Sequence, residues 1–192
     1  MRTELAALLD QADPVHAMSE LACSWSRPAW AKTRADLAIG NYVARAVGTD
    51  RVLCVRAGLA ALLRVAPLLP PDCEELAVSH AWLDEQIGAL EVWLEDPSAE
   101  NQRWTGGTYD ATRQTSAWRD FDLVDAWIQE TADFAIHAVW SGALAGYVQP
   151  PPPPSCAALA AVCATRALIH DGSTPRAAVL AIARTVHASL SP

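Results

Sequence analysis

DFDLVDAWIQETADFAIHAVWSGALAGYV, residues 120–148, is followed after a single Gln by five prolines, Pro150 to Pro154. Leu123, Val124, Trp127, Ile128, Phe134 and Ala138 recur at spacings of three and four, the period of one helix face. A helix is therefore expected from about Asp120 to Val148, with those six side chains turned inward. The longest apolar run inside it, Ala135 to Val148, carries His137 and ends well short of the roughly 20 residues that cross a bilayer. Five prolines lack the amide hydrogens that a helix interior needs, so they are expected to form a stiff polyproline II piece roughly 15 Å long. Beyond them Ser155 is expected to cap a helix to about Ile169, and Ser173-Thr174-Pro175 to open a last helix ending near Ser189.

Upstream the helical period continues. Asp13-Pro14 reads as an N-cap with proline at the first helical position, opening a helix to about Ser26. Pro28 permits a second start, and Trp30, Leu37, Ile39, Tyr42 and Val43 carry that pattern to Gly48. Thr49-Asp50 caps a third helix with Val52, Leu53, Val55, Leu59, Leu62 and Leu63 inward, and Pro67, Pro70 and Pro71 break it. Asp72 is expected to open a long helix with Glu74 and Glu75 in its first turn, where carboxylates oppose the positive end of the dipole. Leu76, Leu83, Ile87, Leu90 and Leu94 would line its buried stripe, and Asp96-Pro97 would stop it. A short helical piece from Ser98 to about Arg103 is expected next. The stretch from Trp104 to Asp110 reads as the least helical of the chain, with turn chemistry at Gly106-Gly107. No fixed-period repeat, β-hairpin signal or βαβ rhythm is present.

The expected fold is all-α: a single bundle of seven or eight helices with a polyproline break before a C-terminal pair. The expected organisation is a main bundle over 1–149, a linker at 150–154, and a helical pair over 155–192 packed back on the bundle. An apolar fraction of 52% over 192 residues supports a substantial core, and 19% charged residues excludes global disorder. Eight Trp against two Phe is an unusual aromatic choice, because each buried indole also needs a partner for its N–H. No secretory signal follows Met1-Arg2, and the five cysteines are odd in number with no C-x-x-C pair. A reducing, cytoplasmic setting is expected from that.

Charge is unevenly spread. Residues 1–71 carry eight basic and six acidic side chains (+2), residues 72–133 three basic and fifteen acidic (−12), and residues 134–192 three basic and one acidic (+2). Such a middle third repels nucleic acid and anionic membrane and would steer a basic partner. The plainer reading makes these carboxylates the solvated faces of two amphipathic helices. Trp104, Tyr109 and Trp118 fall in the polar, glycine-containing stretch between them. Trp and Tyr are favoured interface anchors, so these three rings together with Asp120, Asp122 and Asp125 form the candidate partner-binding set. The alternative is that the rings fold back as caps over the bundle end.

Catalytic motifs are wanting. His170-Asp171 with His137 upstream resembles the dyad of an HD-type phosphohydrolase, but no Asp or Glu follows Asp171 to complete a metal shell. The dyad reads more simply as a helix C-terminus and turn. His80 with Asp84, and Asp133 with His137, each place a His and an Asp one turn apart. Were those helices neighbours, the four residues would make the only testable metal constellation, suited to zinc or iron. Each pair is more simply explained as a local i,i+4 surface interaction. No phosphate-binding glycine loop or nucleophile elbow is present, and no cofactor is expected. Gly142 to Gly146 makes a small-xxx-small pattern, which reads as close helix packing within the protein.

Glu91-Val-Trp93-Leu-Glu-Asp-Pro97-Ser, Glu100-Asn-Gln-Arg103 and Ala138-Val-Trp140-Ser141-Gly142 precede the proline break and the Ala-rich helix from Ala157. Over about residues 75–170 this resembles a group of poorly characterised bacterial all-helical proteins. More loosely, it resembles helical immunity-type proteins of polymorphic toxin systems. The resemblance carries no catalytic residue. It implies a non-enzymatic bacterial protein, encoded near secretion or toxin genes. The expected function is thus an interaction module, such as an immunity or adaptor protein, docking a basic partner through the acidic middle third. A self-associating scaffold and a bundle metalloprotein are the alternatives.

Overall fold

A computed structural model describes residues 2–70, 79–113, 123–140 and 151–190, except the side chains of residues 2 and 108–113. Among the described residues there are nine α-helices, one 3-10 turn and no strand. The chain is all-α, with one more helix than the sequence suggested because a short N-terminal helix forms. In order they are α1 Arg2–Leu9, α2 Pro14–Ser19, α3 Arg34–Val47, α4 Arg51–Val65, α5 His80–Glu95, α6 Ala99–Arg113, α7 Val124–Val139, α8 Pro153–His170 and α9 Pro175–Ser189, with the 3-10 turn Ala66–Leu68 after α4.

Side-chain caps fix many of the starts. Asp13 accepts from the His16 amide at 3.1 Å, Asp50 from Leu53 at 3.2 Å, Ser79 from Trp82 at 3.1 Å and Thr174 from Ala177 at 3.3 Å. Each satisfies an amide that the helix itself leaves orphaned. At α3 the bond is reciprocal: the Asp36 amide donates to Thr33 Oγ1 at 3.2 Å, and the Thr33 amide donates to Asp36 Oδ2 at 2.9 Å. Gly48 (φ 57°) and Gly172 (φ 97°) end α3 and α8 in backbone conformations that side-chain-bearing residues rarely adopt.

Two helices form the centre. From Asp125 to Val139 every residue of α7 except Glu130 is buried, and from Ser155 to Leu168 every residue of α8 except Arg166 is buried. α8 packs against α3, α4, α7 and α9, and α7 against α4, α5, α6 and α8. Such all-round burial needs small side chains. α8 supplies Ala157, Ala158, Ala160, Ala161, Ala164 and Ala167, and on α4 Gly58 lies so near that a Cβ there would sit 3.0 Å from Ala135 Cβ.

Several local expectations are revised. The helix expected from Asp13 to Ser26 stops at Ser19, where Asn41 Nδ2 donates to the Ser19 carbonyl and Trp25 is drawn onto Gly40. The next begins at Arg34 and not near Pro28, because the Thr33–Asp36 box defines its start. Ser155 is not a cap: Pro152 takes that place in a polyproline-like conformation (φ −62°, ψ 154°), and Pro153 and Pro154 form the first turn of α8. A first turn has no use for the missing amide hydrogens, so prolines fit there. α5 starts at Ser79-His80, and the expected opening at Asp72 lies outside the described residues. The long helix expected from Asp120 to Val148 runs only from Val124 to Val139, with Leu123 and Trp140 extended at its ends; residues 120–122 and 141–148, Gly142 to Gly146 among them, lie outside the described residues.

Candidate functional site

The largest revision concerns Gly106-Gly107. These residues do not turn; they lie inside α6, which runs from Ala99 to Arg113. Ser98 Oγ caps its start by accepting from the Asn101 amide at 3.2 Å, and Asn101 Nδ2 binds back to the Asp96 carbonyl at 3.0 Å. Gly106 is required by a neighbour: a Cβ would sit 2.7 Å from the Trp140 ring. Gly106 is thus a packing glycine inside a helix and not the turn glycine expected. At Gly107 nothing among the described residues lies within 4 Å of where a Cβ would be.

α5 and α6 make a helical hairpin. Thr105 is buried in its seam, its hydroxyl donating to the Asn101 carbonyl at 2.8 Å and reaching Ala89 O at 3.5 Å. That contact sets the register. Trp104, one position earlier, is turned out of the seam and is 49% exposed, and Val92, three residues past Ala89, is 40% exposed. Around them the outer faces carry Asp84, Glu85, Glu91 and Glu95 on α5, Asp96 in the turn and Glu100 on α6, all exposed. α5 holds no Lys or Arg at all. None of these carboxylates forms an ion pair among the described residues, where the Arg166–Asp36 bridge is the one seen. Gly88, in the middle of the α5 outer face, meets nothing within 4 Å of a built Cβ. The result is an acidic helical edge with a half-exposed indole and two glycines that no packing among the described residues requires.

The expected set is therefore only partly assembled here. Trp104 is exposed and sits on a helix, not a loop. Tyr109 lies on α6, its side chain outside the description, and Trp118, Asp120 and Asp122 lie outside the described residues. Asp125 is a correction: it is 9% exposed, in the first turn of the central helix α7. Asp133 is equally buried, so α7 is not the solvated amphipathic helix its acidity suggested. Asp125, Gln129, Asp133 and His137 share one helix face, and that face is buried because α4, α5, α6 and α8 all pack around α7.

The two His–Asp pairs are separated. His80 and Asp84 are exposed on α5, with His80 Nε2 3.2 Å from the Pro70 carbonyl, whereas Asp133 and His137 are buried on α7. His137 Nδ1 lies 2.7 Å from the Asp133 backbone oxygen, and its ring is 5.8 Å from that of Trp140. Among the described residues no group of three or more His, Cys, Asp or Glu could share a metal ion. His170 also stands apart from His137: it stacks on Trp127 at 6.2 Å, ten residues and about 15 Å back along α7.

One constellation escaped the sequence reading. Arg166 on α8 donates from Nε and Nη2 to Asp36 Oδ1 and Oδ2 at 3.1 and 2.8 Å, and from Nη2 to the Trp30 carbonyl at 2.9 Å. Its guanidinium lies 5.0 Å from the Trp30 ring centre and 4.8 Å from that of Trp127. This clasp ties α3, α7, α8 and the segment before α3 together. The available signal was a lone cation within the otherwise uncharged helix Ser155–Ile169.

No protein-family model, no curated protein and no solved structure matches this chain.

Proposed function

We propose that the chain is a non-enzymatic protein-interaction module that docks a basic partner along the α5–α6 edge, in the manner of an adaptor or immunity protein. The observation that carries this reading is Trp104, half exposed among carboxylates that form no ion pair among the described residues. Large aromatics dominate interface energetics when a partner desolvates them, and a one-signed surround accelerates association with an oppositely charged partner. Gly88 and Gly107 fit the same reading. Each costs a helix interior roughly 0.5–1 kcal/mol relative to Ala, and each leaves room for a partner to approach the backbone.

The test is capture of partners from the native host lysate with wild type, Trp104→Ala and a charge-reversed Glu91→Lys/Glu95→Lys chain. A basic protein held at low salt, released at higher salt and lost with both variants is the expected result. Retention by both variants overturns the reading.

A second reading, self-association, draws on α4, which exposes Leu63 between Arg56 and Arg64 and bears no acidic residue. Its cationic face complements the acidic edge of a second copy. Light scattering at low salt separates the two: a concentration-dependent mass that falls with salt supports self-association, and a constant monomer mass removes it.

A further inference from the structure

Between α2 and α3 the chain from Leu21 to Pro28 has no helix, turn or bend. Exposure alternates along it: Leu21, Cys23 and Trp25 are half-buried, and Ala22, Ser24 and Ser26 are exposed. Period-two alternation in a straight run is the signature of an extended strand, here in a protein otherwise helical among its described residues.

The segment is held firmly. Trp25 Nε1 donates to Asn41 Oδ1 at 3.0 Å, and its indole occupies the space over Gly40 where a Cβ would clash. Ser26 N–H donates to Ser155 Oγ on α8 at 2.8 Å, and Arg166 holds the Trp30 carbonyl at 2.9 Å. Apart from Ser26 and a contact of the Ser24 amide with the Cys23 thiol, the backbone from Ala22 to Trp25 makes no hydrogen bond among the described residues. The amides and carbonyls of Cys23 and Trp25 point to the edge opposite the Ser26 amide and are unpaired among the described residues. Such an edge is a template for another strand.

Beside it opens a groove of about 420 Å3, lined by Cys23, Ser24, Trp25, Arg27 and Asn41. That size lies within the range of ligand sites. Arg27 is exposed in the lining, and Arg45, one turn beyond Asn41 on α3, is close enough to act on the Cys23 thiol, which burial pushes up and Arg45 draws down. Among the described residues no carboxylate lines the groove.

We propose that this groove binds an extended acidic peptide of a partner protein, which adds as a strand to the Ala22–Arg27 backbone and sets its carboxylates against Arg27 and Arg45. Main-chain pairing supplies affinity and the two guanidinium groups supply selectivity. The edge is already pinned, so binding orders only the peptide. This surface is separate from the α5–α6 edge and opposite to it in charge, so the two sites would recognise different partners.

The experiment is fluorescence anisotropy of the full chain with a fluorescein-labelled octapeptide alternating glutamate and threonine. Three further probes complete it: a lysine–threonine counterpart, and acidic octapeptides N-methylated on the odd or on the even amides. The expected result is saturable binding of the acidic peptide, at least roughly tenfold weaker binding of the lysine peptide, and loss of binding in one methylation register but not the other. Arg27→Glu/Arg45→Glu, both at exposed positions, should weaken the acidic peptide by a similar factor while leaving the urea midpoint in place. NMR should show the Cys23 and Trp25 amides, but not that of Ala22, exchanging more slowly in the complex. No saturable binding up to about 1 mM, equal binding of the lysine peptide, or indifference to methylation in both registers overturns the proposal.

Discussion

Replacing Arg166 by leucine removes the guanidinium that answers a carboxylate deep in the protein. The Asp36 side chain is 2% exposed and that of Arg166 21%, so the pair is screened from water mainly on the carboxylate side. The change deletes two hydrogen bonds to Asp36 and one to the Trp30 carbonyl, at 3.1, 2.8 and 2.9 Å. Hydrogen bonds to charged groups contribute about 1.5–3 kcal/mol each, but three sharing one guanidinium are not additive. Breaking a buried pair from one side costs about 3–5 kcal/mol. The partial exposure of Arg166 places the expectation at the lower end, and leucine retains some contact with the two indoles in place of the cation–π attraction. Asp36 also keeps its bond to the Thr33 amide at 2.9 Å, so it is not wholly abandoned. The expected loss is therefore about 3 kcal/mol, a large part of a native stability of about 5–15 kcal/mol. It corresponds to a fall of roughly 6–12 °C in Tm at 2–4 °C per kcal/mol. Urea unfolding followed by circular dichroism measures it, and a cycle with Asp36→Asn should return a coupling of about 2 kcal/mol. Arg166→Lys keeps the charge but not the fork, and should lie between wild type and leucine. A loss below about 1 kcal/mol for Arg166→Leu, or a coupling near zero, would refute the claim that this clasp holds α3 to α8.

Two adjacent glycines should respond oppositely to alanine. Gly106→Ala drives a methyl against the Trp140 ring and should cost about 1–3 kcal/mol, whereas Gly107→Ala meets empty space and should stabilise by about 0.5–1 kcal/mol in urea titrations; equal effects would contradict the placement of α6. Burial pushes the thiols of Cys54 and Cys156 and the hydroxyl of Tyr42 up to about 12, and the thiol of Cys163 well above its usual value. Their folded pKa values exceed the unfolded ones, so their contribution is complete below about pH 9 and is lost as pH rises from there through about 12. The urea midpoint should accordingly fall between pH 9 and 10.5, and a flat profile would count against those burials. At pH 8 a thiol reagent should modify half-buried Cys23 in the native protein, while Cys54, Cys156 and Cys163 react only at the rate of unfolding; peptide mapping distinguishes them.

Helix class was readable from local signals because the determinants are local. Asp13, Asp50 and Thr174 cap helices as their positions beside Pro14, the α4 stripe and Pro175 imply, and Gly48 and Gly172 end helices where turn chemistry places them. Trp104 was also legible as a candidate anchor, since an indole in a polar, acidic stretch has few apolar neighbours in sequence to bury it. What sequence could not supply was which face each element turns to its neighbours. Gly106 looks like a turn residue until Trp140 is laid against it, and Asp125 looks like a surface carboxylate until α7 is surrounded on every side. Helical period continues past Ser19, yet Asn41 and Gly40, some twenty residues onward, capture Ser19 and Trp25 and leave an extended segment in place of a helix. Local propensities differ by tenths of a kcal/mol to about one per residue, less than burying an indole contributes or leaving a buried carboxylate unpaired costs. Capping and period therefore determined that this chain is helical and where many of its helices begin and end. Tertiary packing decided that α7 and α8 form the centre, that the α5–α6 edge is the acidic face, and that residues 21–28 stay extended.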